Sequence, residues 1–259
     1  MKKANQKIID SWNEEVDNGY GIKDAGVKDI INNPAVAFDH PITYGLIRKM
    51  FPDLNGVKIC VPSSGDNAAV IAFTLLGAKV TSCDISERQL ENAEAIAKKY
   101  GWDIEFIVDN TMTLENIKSD EYDFVYTSNG VHVWIDDLKS MYENIYRILK
   151  KSGVYIMYEI HPISRPFEDC FGELKIKKPY GEIGRLYDGI NYHWRTQDFV
   201  NAIADSGLCI KCMEEMFSNK TASFFAVDGK TPDEIDQYHD WRINPQAALP
   251  QWLTICAVK

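Results

Sequence analysis

The stretch Val57–Ala93, VKICVPSSGDNAAVIAFTLLGAKVTSCDISERQLENA, decides the fold. It contains an apolar strand, a turn, an apolar helix, a second strand and the start of a second helix, and Gly77 is placed to end the first helix. Ser86, with Gln89 three residues later, is a capping-box signature that predicts where the second helix begins. Strands joined by a helix of this length pair in parallel through a right-handed crossover.

The same alternation continues along the chain. Apolar residues at helical spacing from Leu138 onward predict a helix that ends near Gly153. Five further strands are predicted at Ile104–Val108, Phe124–Thr127, Val154–Tyr158, about Leu208–Phe217 and Leu253–Val258. Together these segments predict an α/β fold built on a doubly wound, mostly parallel seven-stranded sheet with helices on both faces.

Three segments fall outside this alternation. Residues 1–44 are predicted to form a helical N-terminal cap, and residues 45–160 a cofactor-binding core. Residues 161–195 are rich in Pro, Gly and aromatic side chains, and residues 218–250 interrupt the last two strands, so both are predicted to be lid or substrate insertions. We expect one domain over residues 1–259.

Composition excludes several classes of partner. With a net charge of -10 and a pI of about 5.0, the chain has no broad basic field that would attract nucleic acid or an acidic membrane. The start, MKKANQKIID, lacks the apolar stretch of a signal peptide, and no run reaches the ~18 apolar residues of a membrane span, so we expect a cytoplasmic protein. The six cysteines include one C-x-x-C pair, Cys209 and Cys212, without a second pair, and we predict reduced thiols and no metal site.

The turn after the first strand, VPSSGDN, contains a single glycine, Gly65. Asp66 puts a carboxylate at the helix start, where a phosphate would meet a like charge, so the turn suits a neutral or cationic ligand. Asp84 ends the second strand nineteen residues after Gly65, close to the ~20-residue offset at which an acid binds a ribose. Asp109 ends the third strand, where it could accept a hydrogen bond from an adenine amine. An adenosyl group attached to a cation fits this set. Alternatively, Asp84 is an acid favoured by the dipole at a helix start, and Asp109–Asn110 is common turn chemistry.

These residues resemble the class I S-adenosylmethionine-dependent methyltransferases. The resemblance covers about residues 45–160 and rests on the opening stretch and on IEFIVDN, YDFVYTSNGVHVW and YRILKKSGVYIMYE. It implies a Rossmann-like fold whose last strand is antiparallel, with S-adenosylmethionine as cofactor. The implied cofactor contacts are Pro62, Ser63, Ser64, Gly65, Asp84, Ile85, Asp109, Asn110, Ser128 and Asn129. The sequence departs from the family pattern in its turn, where Cys60, Pro62, Ser64 and Asp66 replace an acid and alternating glycines.

The acceptor side is less defined by sequence. His132 and His161 follow the fourth and fifth strands and are the candidate general bases, needed only if the nucleophile must lose a proton. The candidate substrate or lid residues are Tyr20, Glu159, Tyr192, His193 and Trp194. The resemblance implies methyl transfer to a small-molecule acceptor by a monomer or homodimer. Two alternatives stay open, an NAD(P)-dependent oxidoreductase and a non-catalytic protein that binds S-adenosylmethionine or a related nucleoside.

Overall fold

The computed structural model describes residues 3–185 and 191–259. Its main sheet has seven strands in the order β3-β2-β1-β4-β5-β9-β8, and β6 and β7 form a separate two-stranded ribbon. In the main sheet β9 runs antiparallel to both of its neighbours, β5 and β8, and the other neighbouring strands pair in parallel. The predicted fold class is therefore confirmed. The strands are β1 (Lys58–Pro62), β2 (Lys79–Asp84), β3 (Ile104–Val108), β4 (Tyr122–Thr127), β5 (Leu149–Ile160), β6 (Gly184–Arg185), β7 (Tyr192–His193), β8 (Cys209–Met216) and β9 (Trp252–Val258).

The helices pack on both faces of this sheet, and three of them precede it in the chain. They are α1 (Lys3–Asp17), α2 (Asp24–Asn32), α3 (Pro41–Met50), α4 (Ala68–Leu75), α5 (Glu87–Tyr100), α6 (Leu138–Ile148), α7 (Thr196–Asp205) and α8 (Pro232–His239). Short 3₁₀ helices occupy Pro34–Ala37, His132–Trp134, Pro162–Ser164 and Pro245–Ala248.

Two apolar layers cover the sheet because its central strands are buried on both sides. On one face, Val61 of β1 and Phe124 of β4 pack with Phe73 of α4. On the other face, Tyr155 of β5 packs with the α6 and α7 side chains, among them Ile145. A strand covered on both faces is apolar throughout rather than alternating, which is how β1 reads in the sequence.

Local sequence determines where α5 begins and ends, and this helix follows the strand end that carries Asp84. The Ser86 hydroxyl accepts a hydrogen bond from the Gln89 backbone N–H at 3.2 Å, as a helix N-cap does. Gly101 ends the helix in the left-handed conformation, φ +71°. These caps fix α5 directly behind the carboxyl end of β2.

One predicted boundary is wrong by several residues. The helix α6 ends at Ile148 and β5 begins at Leu149, whereas the apolar spacing predicts a helix that continues to near Gly153. Leu149 pairs with Tyr122 of β4, and the register shifts between Tyr122 and Phe124. An apolar residue at this position satisfies the helical stripe and the buried strand equally well, so spacing alone cannot separate them.

Candidate functional site

The candidate site is a cleft above the carboxyl ends of the parallel strands, where open α/β sheets bind ligands. Its larger cavity measures about 880 Å³ and is lined by the turn after β1, the end of β2, the loop after β4 and the N-terminal segment. A second cavity of about 500 Å³ lies over the end of β3. Ile85 lines both cavities, so they are neighbours along one edge of the sheet.

The serine hydroxyls of the turn after β1 form hydrogen bonds that stabilise the turn. The Ser63 hydroxyl lies 2.7 Å from that of Thr111, and the buried Ser64 hydroxyl lies 2.7 Å from that of Ser82. Ser63, Ser64 and Gly65 all line the larger cavity, whereas Pro62 does not. Gly65 has φ +51°, and a Cβ there would lie 3.0 Å from the Gln89 amide oxygen. The turn thus presents backbone to the cleft without the usual glycines.

Asp66 fixes the N-terminal segment over the cleft. Its Oδ2 accepts hydrogen bonds from the Ile22 backbone N–H at 2.6 Å and from Asn92 Nδ2 at 3.1 Å. Gly21 lies directly against it, at φ +128°, and a Cβ there would lie 2.5 Å from Asp66 Oδ2. The sequence identifies Asp66 only as a local negative charge, and the structure also gives it this tethering contact.

Asp84 combines burial with backbone donors. Its Oδ2 accepts from the Gly65 N–H and its Oδ1 from the Ser86 N–H, both at 2.8 Å. Burial raises the pKa of Asp84, and the Ser86 and Gly65 amides act in the opposite direction. Each carboxylate oxygen has further acceptor capacity, and the residue lines the larger cavity. Asp84 is therefore held rigidly at a position where hydroxyl donors of a ligand can reach it.

Asp109 and Asn110 occupy the equivalent place above β3. Asp109 Oδ1 accepts from the Asn110 N–H and Oδ2 from the Asn116 N–H, both at 2.7 Å. Asn110 Oδ1 accepts from the Met112 N–H at 2.9 Å. Both side chains shape the loop while lining the second cavity together with Ile85.

The loop after β4 closes the larger cavity on its other side. Ser128 and Asn129 line this cavity, and Asn67 donates a hydrogen bond to the Ser128 hydroxyl. The structure thus brings together nine of the ten sequence-predicted cofactor residues around two adjoining cavities, with Pro62 buried beneath them.

His132 lies beneath the cleft rather than facing it. Its ring Nδ1 is 3.0 Å from Glu159 Oε2 and its Nε2 is 2.7 Å from the Tyr142 hydroxyl. The ring is 2% exposed and packs against Phe199. Its neighbours Val131 and Val133 line the larger cavity, but the described lining does not include His132 itself. His132, predicted as a candidate general base, therefore does not face the larger cavity, and both of its ring nitrogens are already engaged inside the protein.

Glu159 is the centre of this buried network. Its Oε1 accepts from the Gly130 N–H at 2.7 Å and the Ile160 N–H at 2.9 Å, and its Oε2 accepts from the His132 N–H at 3.0 Å. Burial would raise the pKa of Glu159, but the hydrogen bond and charge of His132 outweigh it and lower the pKa to about 2. Glu159 is therefore a carboxylate that holds the loops after β4 and β5, not a wall of the larger cavity.

His161 is also engaged inside the protein. Its Nδ1 accepts from the Ile163 N–H at 3.0 Å, and its Nε2 lies 2.9 Å from Glu215 Oε1. Burial lowers the pKa of His161, whereas the hydrogen bond and the negative charge of Glu215 act to raise it. The second candidate general base is therefore also absent from the described lining of the larger cavity.

The other candidate lid residues separate into two places. Tyr192, His193 and Trp194 line a small pocket of about 10 Å³ that shares Val133, Ile160 and Arg165 with the larger cavity. The Trp194 indole donates a hydrogen bond to the Ile135 carbonyl at 3.0 Å. Tyr20 instead lies at the mouth of the larger cavity, with its ring 5.5 Å from that of Trp12. The cavity is thus roofed by the N-terminal segment. Tyr187, another aromatic residue of segment 161–195, falls outside the described residues.

Two charged residues of the cavity are not predicted by the sequence. Asp39 lines the larger cavity and accepts no hydrogen bond from the described residues. The Asp39 side chain is open to the cavity. The protein around it removes part of its hydration, and this desolvation raises the pKa of its carboxyl group. Arg165 also lines the cavity, and its Nη2 lies 3.9 Å from Glu159 Oε1. Asp39 comes from the N-terminal segment and Arg165 follows the end of β5, and no local motif marks either residue.

The described residues give no sign of a metal centre or a membrane span. His, Cys, Asp and Glu side chains within 3–185 and 191–259 form no cluster of three or more that could hold a metal ion. All six cysteines are free thiols. In the same part of the chain, no helix has both the length and the apolar composition needed to cross a membrane.

Comparison with known proteins agrees with this geometry. A family model described as a methyltransferase domain matches residues 63–153. An uncharacterized methyltransferase of Bacillus subtilis (strain 168), YbaJ, is 27% identical over 137 residues. That match spans about half of each protein, 51% of this chain and 53% of the relative.

Solved structures agree on the fold over a greater length. An S-adenosylmethionine-dependent methyltransferase from Mesorhizobium loti has a TM-score of 0.63 at 20% identity, covering 83% of this chain and 97% of that one. Geranyl diphosphate C-methyltransferase from Streptomyces coelicolor A3(2), solved with Mg²⁺, geranyl diphosphate and S-adenosyl-L-homocysteine, has a TM-score of 0.63 at 15% identity, covering 99% and 98%.

The sheet order, the antiparallel β9 and the cleft above β1 to β4 define a Rossmann-like fold of the methyltransferase type. The family match over residues 63–153 lies inside the predicted cofactor-binding core and supports the resemblance to the class I S-adenosylmethionine-dependent methyltransferases.

Proposed function

We propose that this protein transfers the methyl group of S-adenosylmethionine to a small-molecule acceptor held in the larger cavity. The observation that carries the proposal is Asp84, fixed by two backbone amides where two adjoining cavities meet at Ile85. In this proposal Asp84 accepts hydrogen bonds from the ribose hydroxyls, and Asp109 and Asn110 flank the adenine. Ser63, Ser64, Gly65, Ser128 and Asn129 surround the methionine part.

The residues present fit this cofactor better than a dinucleotide. Asp39, Asp66 and Asp84 put three carboxylates around the larger cavity, against one guanidinium from Arg165. A pyrophosphate would meet these like charges, whereas a sulfonium is stabilised by them. When bound, the sulfonium supplies an electrophilic methyl group, so the chain itself has to orient the acceptor and exclude water.

We define the cofactor half of the cleft as the turn Ser63–Asn67 with the ends of β2 and β3. The acceptor half consists of the cavity walls contributed by residues 8–39 and by Arg165. Three aromatic residues form its rim, since the Trp12 ring lies 5.5 Å from Tyr20 and 5.2 Å from Trp134. A cavity roofed in this way favours a small acceptor over a protein or nucleic acid, and its presence favours an enzyme over a cofactor sensor.

Asp39 is the residue that we propose as proton acceptor, if the nucleophile loses a proton. It faces the acceptor half, lacks a hydrogen-bond donor among the described residues, and has a pKa raised by desolvation, which strengthens a carboxylate as a base. His132 and His161 become positioning residues in this proposal, because each holds a loop through both ring nitrogens.

Cofactor binding tests the proposal directly. Calorimetry should show saturable binding of S-adenosylmethionine and S-adenosylhomocysteine and none of NADH. Asp84→Asn should weaken S-adenosylhomocysteine at least tenfold, since charge-assisted hydrogen bonds contribute roughly 1.5–3 kcal/mol each. Asp103→Asn, the same change at an exposed acid before β3, should leave the affinity unchanged. Methyl transfer is then followed with labelled cofactor and a metabolite extract.

Tighter binding of NADH than of the adenosyl ligands would favour the oxidoreductase alternative. Tight cofactor binding with no labelled product from any extract would favour a non-catalytic binding protein. Equal affinities of wild type and Asp84→Asn would remove Asp84 from the site.

A further inference from the structure

Arg165 places a positively charged guanidinium in the wall of the acceptor half. It follows β5 through the 3₁₀ helix Pro162–Ser164, and its side chain is 31% exposed where it lines the larger cavity. A guanidinium carries five N–H donors. Its charge partner, Glu159, is 3.9 Å away, beyond hydrogen-bond distance. Within the described chain, no residue accepts a hydrogen bond from this guanidinium.

Glu159 does not use up the binding capacity of Arg165. The two Glu159 oxygens already accept hydrogen bonds from the backbone of Gly130, His132 and Ile160. Its charge therefore keeps a cation at the cavity wall without satisfying that cation's donors. Donors in a partly desolvated position cost free energy until a ligand supplies acceptors.

We propose that the acceptor carries a carboxylate or phosphate group and that Arg165 binds it. This inference rests on the function proposed above and narrows its substrate class. The planar guanidinium matches the two oxygens of either anion, which is why arginine is the common residue for such recognition.

Arg165 follows β5, which lies well along the sheet from β3, where the proposed function places the adenine. In the strand order, β5 lies four places from β3, about 19 Å at the usual ~4.8 Å between strands. Asp39, Asp66 and Asp84 line the rest of the same cavity and repel an anion placed there. Apolar walls such as Ile8, Trp12 and Trp134 suit the uncharged body of the acceptor.

The test measures the binding of three small phenyl compounds, which differ in their polar group, to the full chain. Calorimetry on protein saturated with S-adenosylhomocysteine compares 3-phenylpropionate, phenyl phosphate and the neutral 3-phenylpropanamide. At least one anion should bind tenfold or more tightly than the amide, and the tighter of the two identifies carboxylate or phosphate as the recognised group. Arg165→Gln should reduce this preference to within twofold. Arg242→Gln, the same change at an exposed arginine, should keep it.

Three results would overturn the proposal. The first is equal affinity of wild type for the anions and the amide, a comparison that needs no variant. The second is an anion preference that survives in Arg165→Gln, or in the equally uncharged Arg165→Met should the glutamine variant not fold. The third is weaker binding of S-adenosylhomocysteine by Arg165→Gln with unchanged binding of 5′-methylthioadenosine, because Arg165 would then hold the cofactor's own carboxylate. If S-adenosylhomocysteine does not bind wild type, the proposed function fails, while the anion preference is still measured on the free protein.

Discussion

The carboxylates of the cofactor half accept hydrogen bonds from the protein itself, whereas the charged side chains Asp39 and Arg165 of the acceptor half have no hydrogen-bond partner among the described residues. Asp84 and Asp109 each accept two backbone N–H bonds. Asp39 accepts none from the described residues, and the charge contact between Arg165 and Glu159 is 3.9 Å long. Both halves open on the same edge of the sheet. They differ in whether hydrogen bonds within the protein stabilise their charged side chains.

This difference matches two kinds of ligand contact. A carboxylate fixed by backbone amides is preorganised for one shape of partner, and it costs little to keep in place when no ligand is bound. A charged side chain without internal hydrogen bonds is held less firmly in the cavity wall. Its pKa and its hydrogen bonds change when a ligand binds. The first suits a cofactor shared by a whole family, and the second suits the step that differs between family members.

The largest expected effect comes from removing the Asp39 carboxylate. Asp39→Asn should lower turnover about 10²- to 10⁴-fold, the usual contribution of a general base, while S-adenosylhomocysteine affinity changes by no more than a few-fold. The base must be ionised and desolvation raises its pKa above the ordinary 3.8, so wild-type activity should fall as pH decreases through that raised pKa. The Asn variant should lack this acidic limb. Turnover close to wild type would leave the acceptor half without a base.

A smaller effect is expected at Glu159, the buried carboxylate that holds the loop after β4 and the end of β5. Glu159→Gln should lower the free energy of unfolding by about 2–4 kcal/mol at pH 7, because an amide group would face the N–H donors that the carboxylate now accepts. The folded pKa of about 2 lies below the ordinary 4.5. The stability that the carboxylate provides is therefore complete above pH 4.5 and is lost as pH falls toward about 2.

Urea unfolding at a series of pH values measures this, and the gap between wild type and variant should shrink as the pH decreases through that range. The matched control is Glu143→Gln, an exposed glutamate paired with Lys139 on α6. It should change stability by less than about 0.5 kcal/mol. Equal losses in the two variants would mean that the Glu159 network does not stabilise the fold.

The two halves also differ in how well the sequence predicts them. Asp84 and Asp109 sit at the ends of strands that alternation alone locates, and parallel strands bring their carboxyl ends to one edge. Their positions along the chain are therefore enough to imply a shared site. Asp39 and Arg165 come from segments outside the alternation, and only the tertiary path of the N-terminal segment brings Asp39 over the cleft. The contact of Asp66 with Ile22 is part of that path, and no local pattern encodes it.

The histidines show a different limit of sequence reasoning. A strand end predicts the edge of the sheet on which a side chain lies, but not whether the ring faces the cleft or the layer below it. His132 lies in the lower layer because Glu159 and Tyr142 engage its two nitrogens there. Both partners are distant from it in sequence, on β5 and on α6, so no local pattern around His132 indicates the engagement.

The smallest expected effect is at His161, and it separates the two accounts of proton transfer. His161→Gln should keep turnover within about threefold of wild type at neutral pH, because its ring nitrogens hold Ile163 and Glu215 rather than facing the larger cavity. Glutamine still offers one acceptor and one donor, so the loop after β5 should remain in place. The acidic limb of the pH profile should also be unchanged, since it belongs to Asp39. A loss of about 10²-fold or more together with the limb would instead assign the base to His161 and reduce Asp39 to a charge on the cavity wall.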